Sequence, residues 1–92
     1  MARRFRNASG PRIRKARDAR GWTQEDLAAK LQLAGLDFDR VTVAKVESQI
    51  RTLRDFELIV IAHALGVSME DLAGGFDVVR SDLDDLQRGE RG

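Results

Sequence analysis

The chain has no cysteine, a single histidine and no long apolar run. Without cysteine there is neither a disulfide framework nor thiolate chemistry, which suits a reducing compartment. His63 lies on a largely apolar stretch with no second ligand near it in sequence, so a zinc site is not expected. Nothing approaches the roughly 20 consecutive apolar residues that cross a bilayer. The basic opening MARRFR is not followed by the apolar core of a secretory signal. A cytoplasmic location without membrane contact is the expectation. No nucleophile, base and orienting acid can be grouped, and the carboxylates of DLDDL (82–86) are explained by a solvated helix face. The reading is a non-enzyme: no catalytic residue, no metal and no cofactor.

What is present is a chain of 92 residues, 42% hydrophobic and 34% charged, enough for one domain with one modest core. The net charge of +1 hides an asymmetry. Arg3, Arg4, Arg6, Arg12, Arg14, Lys15, Arg17 and Arg20 face only Asp18 in the first 20 residues. From residue 70 onward Glu70, Asp71, Asp77, Asp82, Asp84, Asp85 and Glu90 outnumber Arg80, Arg88 and Arg91. A basic leading segment suits a polyanion such as nucleic acid, and the acidic end should then lie away from that surface. A solvated charged helix with a loose arm would give the same charge pattern.

Residues 1–10 have no apolar period and read as a flexible basic arm. Pro11 suits a first helical turn, with Ile13 and Ala16 as its apolar face and Gly21 as a stop. Four segments, TQED (23–26), TLRD (52–55), SMED (68–71) and SDLD (81–84), put Thr or Ser three residues before an acid, a capping-box pattern that predicts four helix starts. The first helix so opened carries Leu27, Ala28 and Leu31 on one side, and the second carries Leu58, Ile61, Ala62 and Leu65, closed by Gly66. The third ends near Gly74 and Gly75; the fourth carries Leu83 and Leu86 and ends at Gly89.

Between the first two boxes lies DFDRVTVAKVES (37–48), whose β-branched run favours a strand. Alternation outward from Val41 and Val43 fails, because Lys45 and Glu47 fall on the apolar side. As a helix, Asp39 caps it, Phe38 staples over Val43, and Val43, Val46 and Ile50 share a face. Arg40, Val41, Thr42 and Lys45 then point away from that face. An α-helix fits the DNA major groove, where Arg or Lys donates to guanine O6 and N7 and valine touches a thymine methyl. A solvated face with Val41 half-buried is the plainer account of the same pattern.

The run from Ile13 to Leu72, with GWTQEDLAAKL, TVAKVES and IAHALGVSMEDL as its most telling pieces, resembles the lambda-repressor-like (Cro/CI-type, XRE class) helix-turn-helix domain. The resemblance implies a compact five-helix bundle whose second and third helices read DNA, in a family whose members commonly act as dimeric repressors. It implies DNA-backbone contacts at Thr23 and Gln24, base reading by Arg40, Val41 and Lys45, and further phosphate contacts at Thr42, Ser48, Arg51 and Arg54. It also implies a structural ion pair between Arg17 and Glu47, which keeps an acid from facing DNA. This sequence departs from the family's pattern twice: LQLAGLDF lengthens the approach from Leu31 to Asp39, and Gln49 stands where many members have glycine. The turn at Gln49 is expected to form without the relief of a positive φ.

The combined expectation is an all-α protein with a basic arm (1–10), a helix-turn-helix domain (11–75) and an acidic tail or short helix (76–92). Its expected function is sequence-specific regulation of transcription as a homodimeric repressor on double-stranded DNA. Two alternatives keep the fold. One is an antitoxin that represses its own promoter and grips a basic toxin through the C-terminal segment; the other is an adaptor that binds only proteins.

Overall fold

The computed structural model describes residues 3–91, the side chain of Arg91 excepted; residues 1, 2 and 92, at the ends of the expected arm and tail, lie outside the described residues. Six helices and no strand form among the described residues: α1 (Gly10–Ala19), α2 (Gln24–Leu33), α3 (Arg40–Glu47), α4 (Asp55–Leu65), α5 (Met69–Ala73) and α6 (Phe76–Arg91).

Local hydrogen bonding explains where they begin. Thr23 Oγ1 accepts from the Asp26 amide at 3.0 Å while Asp26 accepts from the Thr23 amide at 2.8 Å. Ser68 and Asp71 repeat the exchange at the head of α5, with both bonds at 3.0 Å. These two boxes work because each satisfies two amides that the first turn leaves without partners. The other two do not cap. At α4 the residue before the helix is Arg54, and the carboxylate that reaches back is Glu57, accepting from the Arg54 amide at 2.8 Å. Thr52 is left outside. In α6 the chain is already helical from Phe76, so Ser81 lies within the helix and its hydroxyl donates back to the Val78 carbonyl at 2.7 Å.

The core joins Ile13 of α1, Leu27, Ala28 and Leu31 of α2, Phe38, Val43 and Val46 at α3, Ile61, Ala62 and Leu65 of α4, and Leu72 of α5. Trp22 packs against it, with the Lys30 ammonium 5.3 Å from its ring centre. Ile50 does not join Val43 and Val46. It is 63% exposed, because the chain turns out of α3 at Gln49.

The lengthened approach to α3 is a helix C-cap at Ala34 followed by five connecting residues. Leu36 donates its amide to the Leu31 carbonyl at 2.9 Å and Gly35 donates to Gln32 at 3.0 Å, the paired bonds of a Schellman turn. Gly35 supplies the φ of +94° this turn needs. Gln32 Nε2 then donates to the Phe38 carbonyl at 2.8 Å, tying the connection to α2 before Asp39 starts α3.

Residues 5–10, expected as a free arm, lie along the end of α3 and against α6. The Arg6 amide donates to the Gln49 carbonyl at 2.8 Å, and the Phe5 amide to the Asp85 carbonyl at 3.1 Å. Asn7, Ser9 and Gly10 are buried. Gly89 of α6 is buried where a Cβ would collide with the Phe5 carbonyl. The acidic helix, expected to keep clear of the basic segment, therefore rests on it. Backbone contact decides this, and residue charge does not report it.

Candidate nucleic-acid interface

The interface is built on α3. Asp39 Oδ1 accepts from the Thr42 amide and from the Thr42 hydroxyl, both at 2.7 Å. These bonds, the backbone one foremost, hold the Asp39 carboxyl below its ordinary range. A negative group beside the first α3 amides also favours the helix electrostatically. The cap sets the rotation of the helix. Val43 and Val46 go into the core, and Arg40, Val41, Lys45 and Ser48 come to the surface, with Val41 47% exposed. Neither Arg40 nor Lys45 forms a salt bridge among the described residues.

The one acid within α3 is turned inward. Glu47 accepts from Arg17 Nε at 2.7 Å, from Arg17 Nη2 at 3.0 Å and from Gln24 Nε2 at 3.0 Å. The Arg17 side chain is 9% exposed and that of Glu47 3%, so this bidentate pair is dry. Arg17 Nη1 donates to the Trp22 carbonyl at 2.6 Å and lies 3.3 Å from Asp18 Oδ1. Its pKa is raised, chiefly by the hydrogen bond to Glu47 and against the effect of burial.

Two of the expected DNA-backbone residues are otherwise engaged. The Gln24 amide is spent on Glu47, so what this residue supports directly is the inward set of the acid. Arg51 is a bidentate partner of Glu57, at 3.2 Å on each arm, and its guanidinium lies 4.7 Å from the Phe38 ring centre. Glu57 is 6% exposed. Burial raises its pKa, and the bonds from Arg51 and the Arg54 amide outweigh that, so the carboxyl sits below its ordinary value. Arg51 is thus tied to Glu57, with its side chain 33% exposed. Thr23, Ser48 and Arg54 remain exposed, and Thr42 is half-buried.

Two residues at the end of α3 behave as the sequence did not indicate. Gln49 adopts φ +65°, the positive value that was not expected of a side-chain-bearing residue, and it sits at the turn where glycine is usual. Gln49 and Ile50 donate their amides to Val46 and Lys45, both at 3.0 Å, closing the helix. Asn7 buries its carboxamide in the same turn, donating to the Val46 carbonyl at 3.0 Å and the Arg51 carbonyl at 2.8 Å. No local periodicity could have matched residue 7 with carbonyls some forty positions away.

With this geometry in view, the comparisons with known proteins are informative. The helix-turn-helix family profile matches residues 13–72, and the chain belongs to that family, in its Cro/CI-type (XRE) class. Among solved structures it is similar to the restriction-modification controller protein C.AhdI from Aeromonas hydrophila, at 35% identity and a TM-score of 0.60, covering 68% of this chain and 84% of that one. It is also similar to the hypothetical transcription factor NHTF from Neisseria, at 30% identity and a TM-score of 0.65, covering 86% and 84%. The clp gene regulator ClgR from C. glutamicum shares the fold, at 24% identity and a TM-score of 0.66, covering 83% and 90%. No curated protein sequence matches the chain. Family and fold together define a DNA-binding transcriptional regulator and not an enzyme. Among the described residues no helix is long and apolar enough to cross a membrane.

Proposed function

We propose that this regulator is a homodimeric repressor that reads the major groove with α3. Arg40 and Lys45 donate to guanine edges, and Val41 packs on a thymine methyl. Thr23, Thr42, Ser48 and Arg54 meet phosphate, with Gln24 and Arg51 acting behind them. The observation that carries the reading is the division of charge on α3. Its cations are outward and without salt bridges, while its acid is neutralised inside by Arg17. A solvated helix has no need to bury its carboxylate in this way.

Dimerisation would place two copies of α3 about one helical turn apart on DNA. Its support is α6, where Phe76, Val79, Leu83 and Leu86 repeat at three- and four-residue steps, and Phe76 is 73% exposed. The same helix is acidic enough to suit the antitoxin alternative, in which a basic protein covers it.

The test is selection of bound sequences from random duplex DNA at near-physiological salt. A palindromic motif with half-sites one turn apart is the expected result. An equal yield of all sequences, with no salt-dependent binding, would favour the adaptor reading.

A further inference from the structure

The segment ahead of α1 is bound to the exit of α3 by more than proximity. Asn7, 7% exposed, makes four hydrogen bonds. Its Nδ2 bridges the Val46 and Arg51 carbonyls, its Oδ1 accepts from the Gly10 amide at 2.8 Å, and its own carbonyl accepts from Gln49 Nε2 at 3.1 Å. Gly10 allows this approach, since a Cβ there would lie 2.5 Å from the Val46 carbonyl oxygen and 2.8 Å from that of Glu47. The next bonds outward, Arg6 amide to Gln49 carbonyl at 2.8 Å and Phe5 amide to Asp85 carbonyl at 3.1 Å, carry the arginine-rich stretch from the exit of α3 onto α6. Arg3, Arg4 and Arg6 are all exposed there, and none forms a salt bridge among the described residues. Gln49 meanwhile holds a left-handed backbone that glycine would adopt without strain. A side chain kept at such a position is explained by what it binds, and here it binds Asn7.

We infer that Asn7 is a positioning residue for DNA binding. Through its carboxamide, and with Gln49 as its partner, it fixes Arg6 at the trailing end of the recognition helix and sets the course of Arg3 and Arg4 beyond it, where the Phe5 amide meets α6. The three arginines then meet phosphate as a pre-ordered extension of the α3 surface. Released from Asn7, the arm leaves the phosphates, because ordering it on them would cost more than the contacts return. This inference rests on the reading of α3 as the DNA helix.

The experiment measures affinity of the full chain for its selected duplex as a function of salt, for the wild type, Asn7→Ala, the triple Arg3→Ala, Arg4→Ala, Arg6→Ala, and the quadruple variant. Every phosphate that an arginine no longer neutralises should flatten the plot of log affinity against log salt by about one unit. The triple variant should therefore lose up to about three units of slope. Asn7→Ala should lose a large part of the same slope, and adding it to the triple should change the slope no further. A structural role alone would lower the melting temperature and the active fraction while leaving the slope unchanged, and that result overturns the inference. So does an unchanged slope in the triple variant.

If Asn7→Ala does not fold, Gln49→Gly takes its place. It removes the bond to Asn7 while relaxing the backbone, so it should flatten the slope with no loss of melting temperature; an unaltered slope overturns the inference. Arg40→Ala and Lys45→Ala separate this from failure of the underlying reading. If they leave binding unchanged, α3 is not the DNA helix. If they weaken it while Asn7→Ala leaves the slope intact, only the role of Asn7 is lost.

Discussion

Arg40 and Glu47 sit on one short helix and face opposite ways, one exposed and one buried. Arg40 is exposed at the first turn, and Arg40→Ala or Lys45→Ala should cost about 1 to 3 kcal/mol on the selected site and relax preference at the base each one reads. Equal losses on selected and random duplexes, measured by titration at fixed salt, would rule out base reading. Glu47 is the dry acceptor of three hydrogen bonds, and losing the charge leaves Arg17 buried without its partner. Glu47→Gln should lower unfolding free energy by roughly 3 to 5 kcal/mol, as urea denaturation would report. Arg51, held by Glu57 and lying over the Phe38 ring, belongs with this second kind. Arg51→Ala should lower the urea midpoint while leaving the salt slope of DNA binding nearly unaltered.

The aim of α3 is settled by what flanks it. The Schellman turn at Gly35, the Gln32 clasp on Phe38 and the Asp39 cap fix its entry, and the turn at Gln49 fixes its exit. Gly35→Ala puts a side chain at φ +94° and should cost about 1 to 2 kcal/mol. Because the turn directly precedes α3, binding to the selected site should weaken further than the reduced stability alone predicts, a comparison open to titration below the melting transition. The sequence was a good guide to the cap at Asp39, a contact three residues long, and not to the turn at Gly35 or the Gln32 clasp, which complete the entry. It misled at Thr52, which lies three residues ahead of α4, and at Ser81, which lies inside α6, so neither hydroxyl caps a helix. An acid three residues after a hydroxyl is necessary for the box but does not establish where the preceding chain stops being extended.

Among the described residues, three carboxylates have pKa values held below their ordinary range: Asp26 and Asp39 at helix caps, and Glu57 against Arg51. For Asp26 and Asp39 the cause is the hydrogen bonds they accept, from Thr23 and Thr42; for Glu57, burial opposes the shift and the bonds outweigh it. A group whose pKa falls on folding stabilises the folded state fully above its unfolded value. That contribution is lost as pH drops through the lower folded value. Melting temperature should therefore be insensitive to these groups at neutral pH and decline below about pH 4.5. Circular dichroism melts between pH 7 and pH 3 test this, and a melting temperature that rises on acidification would contradict it.

The all-helical class, the placing of α2, α3 and α5, the inward set of Val43 and Val46, and the family itself were legible in the residues. Those properties depend on periodicity and on contacts a few positions long. Tertiary structure alone decided that Arg51 is tied to Glu57, that Ile50 is exposed, that the acidic α6 rests on the basic segment, and that Asn7 closes the exit of α3. Each of these pairs groups that no helical repeat relates, or turns the chain by a backbone angle that its side chain does not advertise. A carbonyl that its own turn leaves open must find a donor wherever the fold brings one, and for Arg51 that donor is Asn7, which also joins Gln49 on the Val46 carbonyl.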